Sequence, residues 1–113
     1  MNARDSEIFE MHAEFCRMIA SSKRLMIIEL LAKKEMSVSK IALSLGLHQS
    51  NISQHLRVLR SQHIVESRKD GQTVYYRLTN ARLAKVCADI RSILLEGMEQ
   101  RGIKAKGLIK GRT

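Results

Sequence analysis

Aromatic side chains are nearly missing from this chain, which holds two Tyr, two Phe and no Trp. A core packed from it has to be aliphatic, built on Leu, Ile, Val and Met. Cysteine is equally scarce. Cys16 and Cys87 alone cannot form a disulfide scaffold, and thiols used so sparingly suit a reducing compartment. No apolar run approaches the roughly 20 residues of a membrane span. No signal peptide is read at the N-terminus, so the expected location is the cytoplasm and no membrane partner is expected. Internal repeats are lacking, as are a Gly-rich phosphate loop and metalloprotease spacing. The four His are scattered without an acidic partner pattern. Enzyme chemistry has no footing here, and no cofactor is expected.

What the chain does hold is positive charge. Twenty Lys and Arg against 11 Asp and Glu give a formal net charge of +9, and a polyanion, most often nucleic acid, is the usual partner of such a chain. The charge is uneven. Residues 5–14 carry Asp5, Glu7, Glu10 and Glu14 and no base, whereas residues 33–82 carry nine bases and three acids. The end of the chain adds Arg101, Lys104, Lys106, Lys110 and Arg112 with no acid. At 113 residues and 44% apolar, the chain holds one core and has no room for a second domain.

Periodicity divides the chain into elements. Ile8, Met11, Phe15, Met18 and Ile19 make one helical stripe. Ser21 or Ser22 can cap a second helix, about Lys23 to Lys34, ending in lysines that suit its dipole. After Glu35-Met36-Ser37 comes a third helix, about Val38 to Leu45, stopped by Gly46. A fourth runs from Leu47-His48-Gln49-Ser50 to about Arg60, with Ile52, Leu56 and Leu59 inward. Two short helices joined by a Gly-containing turn are the helix-turn-helix signature. The period then changes. Ile64–Lys69 and Thr73–Leu78 read as strands around Asp70-Gly71, a strong hairpin signal and hence a wing. Leu83, Val86, Cys87, Ile90, Ile93, Leu94 and Met98 then stripe a terminal helix. That stripe exceeds what one small core needs, and with the first helix it argues for a dimer seam.

The fold class expected is thus mainly α with a small β-hairpin, a winged helix-turn-helix in the order α-α-α-α-β-β-α, dimerising through its first and last helices. Residues 1–100 form the DNA-binding and dimerisation domain. Residues 101–113 are expected to be a basic, disordered tail.

In order and spacing the residues resemble the arsenical-resistance-type (ArsR/SmtB) repressors. The likeness runs from about Phe15 to Leu94 and rests on Ser22-Lys23-Arg24-Leu25, Glu35-Met36-Ser37-Val38-Ser39, the run Leu45 to Leu56, and Asp70 to Leu78. It implies a dimer whose fourth helix enters the major groove while the wing meets the backbone. It also shows what this chain lacks. Ser37-Val38-Ser39 stands where arsenite- and cadmium-responsive relatives carry Cys-Val-Cys, and a hydroxyl is a poor ligand for soft metals. Asn80, Arg82, Ile93 and Glu96 stand where zinc- and nickel-responsive relatives carry their ligands, and only the Glu matches. No metal site of either kind is expected.

Candidate DNA contacts are Gln49, Ser50, Asn51, Ser53, Gln54 and His55 on the fourth helix, with Arg57, Lys69 and Gln72. Gln and Asn can pair with adenine through two hydrogen bonds, and Ser and His reach phosphate or base edges. Arg60, Arg68 and Arg77 join the group of potential phosphate binders. Cys16 and Cys87 lie on the helices expected at the seam. They read as a thiol switch, as a metal or metalloid site with His12, or as small buried hydrophobes.

The function expected is a dimeric, sequence-specific repressor of double-stranded DNA with a two-fold symmetric operator, released by an oxidant or reactive sulfur at Cys16 and Cys87. The alternatives are an ungated DNA-binding module, constitutive or nucleoid-structuring, and a metal or metalloid sensor.

Overall fold

The computed structural model of the chain describes residues 1–102. The expected basic tail lies outside the described residues from position 103 on. The elements run α1 (Ala3–Ile19), α2 (Ser22–Lys33), β1 (Met36–Ser37), α3 (Val38–Leu45), α4 (Gln49–Ser61), β2 (Val65–Asp70), β3 (Thr73–Leu78) and α5 (Arg82–Gln100). They fall into two compact units, Met1–Ala81 and the segment from Arg82 on.

Local chemistry sets the boundaries of the first unit. A reciprocal capping box opens α1: the Asp5 N–H donates to Asn2 Oδ1 at 3.0 Å, and the Asn2 N–H donates to Asp5 Oδ2 at 3.1 Å. Two donors that a helix start would leave orphaned are satisfied this way. Ser21, rather than Ser22, caps α2, its Oγ accepting from the Arg24 N–H at 3.4 Å. Ser37 caps α3 by accepting from the Lys40 N–H at 3.2 Å. At the other end of α3, Gly46 takes φ +67°, a left-handed turn that a side chain would strain.

One strand escapes a reading of periodicity. Met36–Ser37 forms β1 and pairs antiparallel with β3, Met36 opposite Tyr76 and Ser37 opposite Tyr75. Two residues are too few for alternation to register. The sheet order is β1-β3-β2, so the wing is tied back to the helices through its inner strand. In the hairpin, Asp70 stands opposite Thr73. Asp70 therefore ends β2, and Gly71 and Gln72 form the two-residue loop, with Gly71 at φ +62°.

The core is as aliphatic as the composition demands. Ile27, Ile28, Ile41, Ile52, Leu56 and Leu59 have no solvent exposure, each worth about 1.5–3 kcal/mol of burial. They join α2, α3 and α4 into the trihelical body on which the wing rests, and α1 touches α4.

Helix α1 itself buries none of its residues: Ile8 is 58% exposed, Phe9 54% and Met11 60%. In the second unit, α5 buries Ala84, Cys87 and Leu95 but leaves Val86, Ile90, Ile93 and Leu94 more than half exposed. Among the described residues no helix is long and apolar enough to cross a membrane.

Candidate nucleic-acid interface

Helix α4 sorts its residues by period. Ile52, Leu56 and Leu59 point into the core, which turns Gln49, Ser50, Asn51, Gln54, Arg57 and Arg60 into solvent. No acid occurs between Gln49 and Ser61. The helix start has no side-chain cap, and the His48 carbonyl takes the Asn51 and Ile52 N–H groups at 3.1 and 3.2 Å. An uncapped helix start directs partial positive charge outward, where an anion is favoured.

The wing meets this helix across an open groove of about 400 Å³. Gln49 and Ser53 line it from α4, Gln72 and Thr73 from the wing, and Ser37 and Ser39 from the start of α3. Gln49, Ser53 and Gln72, all candidate DNA contacts from the sequence, thus share one concavity. Lys69 is exposed on β2 near the hairpin tip. Ser37 Oγ lies 3.2 Å from Ser39 Oγ while it caps α3. At the two positions where the resemblance would put thiolate ligands, one hydroxyl thus serves the backbone and the other pairs with that hydroxyl.

His55 stands apart from the other α4 candidates. It is half-buried, and its Nδ1 accepts from Arg24 Nε at 3.2 Å. Burial, then Arg24, then Lys23 push its ionisation below the ordinary histidine range. The donor on Nδ1 and the lowered ionisation both favour the neutral imidazole. It does not count among the charges of this surface.

Two of the arginines grouped as phosphate binders are engaged elsewhere. Arg68 Nε donates to both oxygens of Glu35 at 3.0 Å, with Nη2 also on Oε1. Its guanidinium lies 4.8 Å from the Tyr75 ring centroid and 3.8 Å from Asp70. The Arg68 hydrogen bond holds the Glu35 carboxyl below its usual range, against a smaller opposing effect of burial. Arg77 Nε donates to Glu66 at 2.6 Å. Arg77 is paired within the wing and Arg68 ties the wing to the segment before β1, leaving Arg57, Arg60 and Lys69 as the exposed cations of α4 and β2 with no carboxylate partner among the described residues.

Sequence reasoning also missed Arg24 and Glu35. Their partners His55 and Arg68 lie 31 and 33 positions away, beyond any local pattern. The pairs within the hairpin were findable. Glu66 opposite Arg77 and Arg68 opposite Tyr75 follow from the register once the two-residue loop is fixed.

Of the two thiols, Cys16 is exposed on α1 and Cys87 is buried on α5, one in each unit. Among the described residues no group of three or more His, Cys, Asp or Glu is placed to hold a metal ion.

A Gly-stopped helix, a second helix with a polar acid-free face and a β-hairpin beside it define a winged helix-turn-helix protein. Residues 21–67 match the model of the bacterial regulatory proteins of the arsR family. The nodulation protein NolR of Rhizobium meliloti is 37% identical over 101 residues, covering 89% of this chain and 81% of that protein. The crystal structure of NolR from Sinorhizobium fredii superposes with a TM-score of 0.73 at 38% identity, covering 82% of this chain and 93% of that one. A Mycobacterium bovis fragment, described as a homodimeric winged helix-turn-helix DNA-binding domain, superposes with a TM-score of 0.76 at 29% identity, covering 88% and 93%. The chain belongs to the ArsR family of bacterial transcriptional regulators, a family of DNA-binding proteins and not of enzymes.

Proposed function

We propose that this protein is a dimeric repressor that recognises a two-fold symmetric DNA operator through α4 and is released from it by a thiol-directed signal. The observation that carries the DNA reading is the outward face of α4, polar and without a single acid, beside a wing that shares a groove with it. Gln49, Asn51 and Gln54 bring the side-chain amides that pair with adenine. Ser50, Ser53, Arg57, Lys69 and Gln72 supply contacts to phosphate and sugar that set the register.

Dimerisation is supported by the exposed apolar side chains that α1 and α5 carry, Ile8, Phe9 and Met11 on the one and Val86, Ile90, Ile93 and Leu94 on the other. The homodimeric M. bovis relative supports the same assembly. Two copies related by a two-fold axis read two half-sites about one helical turn apart. A signal that alters the packing of the pair changes that spacing, and a coupling of ~1–3 kcal/mol shifts occupancy ~5–150-fold.

The switch proposed is Cys16 with Cys87. A peroxide joins the two thiols as a disulfide and takes up two electrons and two protons, leaving as water. A polysulfide acts as the same two-electron oxidant and is reduced to sulfide. The exposure of Cys16 favours attack there first.

The test is a binding titration against a duplex selected with the reduced protein from a randomised library. Reduced protein should prefer that duplex over a scrambled one by at least ~10³-fold at fixed salt. Peroxide should lower the affinity and reductant restore it. Cys16→Ser and Cys87→Ser should each abolish the response. No preference for the selected duplex would leave an architectural DNA-binding module. A preference that ignores oxidant would leave an ungated repressor.

A further inference from the structure

Arg24 has no part in the DNA-contact reading, yet its side chain ties three helices together. From α2, its Nε donates to His55 Nδ1 on α4 at 3.2 Å, and its Nη1 donates to the Met18 carbonyl at 2.9 Å. That carbonyl lies in the last turn of α1, where the helix has no internal donor to offer and its dipole favours a cation. The backbone N–H of Arg24 is itself held by the Ser21 cap. The guanidinium is therefore fixed from both ends, in a half-buried setting.

A guanidinium can only donate and does not lose its proton. An imidazole nitrogen that faces it must accept, so the one proton of neutral His55 sits on Nε2. Among the described residues Nε2 has no partner. We propose that Arg24 is a positioning residue that locks His55 in the Nε2–H tautomer, so that the recognition helix offers DNA a hydrogen-bond donor at this position and never an acceptor.

This rests on reading α4 as the DNA-contacting helix. It deepens that reading by naming what His55 selects. Its partner has to be an acceptor: a phosphate oxygen, or the N7, O6 or O4 of a base edge. The amino groups of adenine and cytosine are refused. Protonation would place a second cation against Arg24, with Lys23 adding to the repulsion from the same helix. The lowered ionisation of His55 agrees with this arrangement.

Long-range proton–nitrogen spectra of the full-length protein, without DNA, read the tautomer directly. Wild-type His55 should show the Nε2–H pattern at pH 7 and ionise at lower pH than a histidine in an unfolded peptide. In Arg24→Gln both tautomers should be populated and the ionisation should move up. Arg24→Lys, which still donates, should restore most of the Nε2–H form. On the library-selected duplex, Arg24→Gln and His55→Ala should each lose about threefold to tenfold in affinity, the worth of one hydrogen bond. The double variant should lose no more than either single one. An equal loss on scrambled DNA assigns the acceptor to phosphate, and a loss confined to the selected duplex assigns it to a base.

A wild-type His55 carrying its proton on Nδ1, or charged at pH 7, overturns the proposal even if Arg24→Gln fails to fold. So does an Arg24→Gln protein with unchanged tautomer and titration, or additive losses in the double variant. Gln54→Ala serves as the control for the underlying reading. If it leaves the preference for the selected duplex intact, the reading of α4 itself has failed. If it removes that preference while Arg24→Gln changes nothing, only the role of Arg24 has.

Discussion

Helices α1 and α4 are both striped, and they use their stripes in opposite ways. In α4 the apolar stripe of Ile52, Leu56 and Leu59 is spent inside the chain, and what remains outside is polar and free of acid. In α1 the stripe of Ile8, Met11 and Phe15 stays in water, and no residue of the helix is buried. A helix whose apolar face is satisfied internally can be judged by the chemistry of its other face. A helix whose apolar face is unsatisfied points to a partner that covers it. The first kind reads a ligand. The second assembles.

The sharpest way to break this contrast is to truncate one side chain on each helix. Leu56→Ala should cost about 2–5 kcal/mol of folding free energy, because it leaves a cavity in a fully packed site. Phe15→Ala, at the edge of exposure, should change the stability of the dilute monomer by no more than about 0.5 kcal/mol. Urea denaturation at low protein concentration measures both. Comparable losses for the two would mean that α1 belongs to the core after all.

Charge placed on the uncovered faces gives the converse effect. Ile90→Asp and Leu94→Asp, and Phe15→Asp on α1, should leave each monomer folded. They should disfavour association by several kcal/mol, because a carboxylate would be buried without a partner. Sedimentation would then show monomers at concentrations where the wild type is paired. An intact dimer in all three variants would remove these faces from the interface.

Next in size comes readout on α4. Gln54→Ala should weaken binding to the selected duplex by about 1–3 kcal/mol and barely alter binding to scrambled DNA. Arg57→Ala should weaken both alike and reduce the slope of affinity against salt by about one counterion. A uniform loss from Gln54→Ala would make it a phosphate contact.

How far these features could be read in advance follows the range of the interactions behind them. The helix-turn-helix was legible because its marks are local: the Ile52, Leu56 and Leu59 spacing, Gly46 as a stop, and Asp70-Gly71 between two β-prone runs. The hairpin loop fell one residue later than that dipeptide suggests, since Asp70 still pairs with Thr73. Strand β1 was illegible because two residues carry no period and its pairing depends on β3. At the candidate site, periodicity alone gave the exposed amides of α4. The roles of Arg68, Arg77 and Arg24 did not follow, since an arginine looks the same in sequence whether it faces phosphate or a carboxylate across the fold. Charge counting overstates a DNA surface wherever such pairs form.

That overstatement can be tested at Glu35, where the smallest effect is expected and its sign is informative. If Glu35 acted on DNA only through its charge, Glu35→Gln would tighten binding, because a negative group near the phosphates would be gone. The structure instead joins Glu35 to Arg68, and Arg68 to the Tyr75 face. Removing the carboxylate should loosen β2 of the wing, and binding should weaken by a few-fold at most, as suits a solvent-exposed pair. Arg68→Gln should act in the same direction with no change in the salt slope, unlike Lys69→Gln, which should flatten it. The acid limb provides a second check. Because Arg68 holds the Glu35 carboxyl below its usual range, the pair contributes fully at pH values above the ordinary carboxylate range. The contribution is lost as pH falls through the lowered value. The gap between wild type and Glu35→Gln in wing order, followed by amide exchange, should therefore be full near neutrality and shrink in acid. Tighter binding by Glu35→Gln at neutral pH would return Arg68 to the phosphate contacts and make the wing clamp incidental.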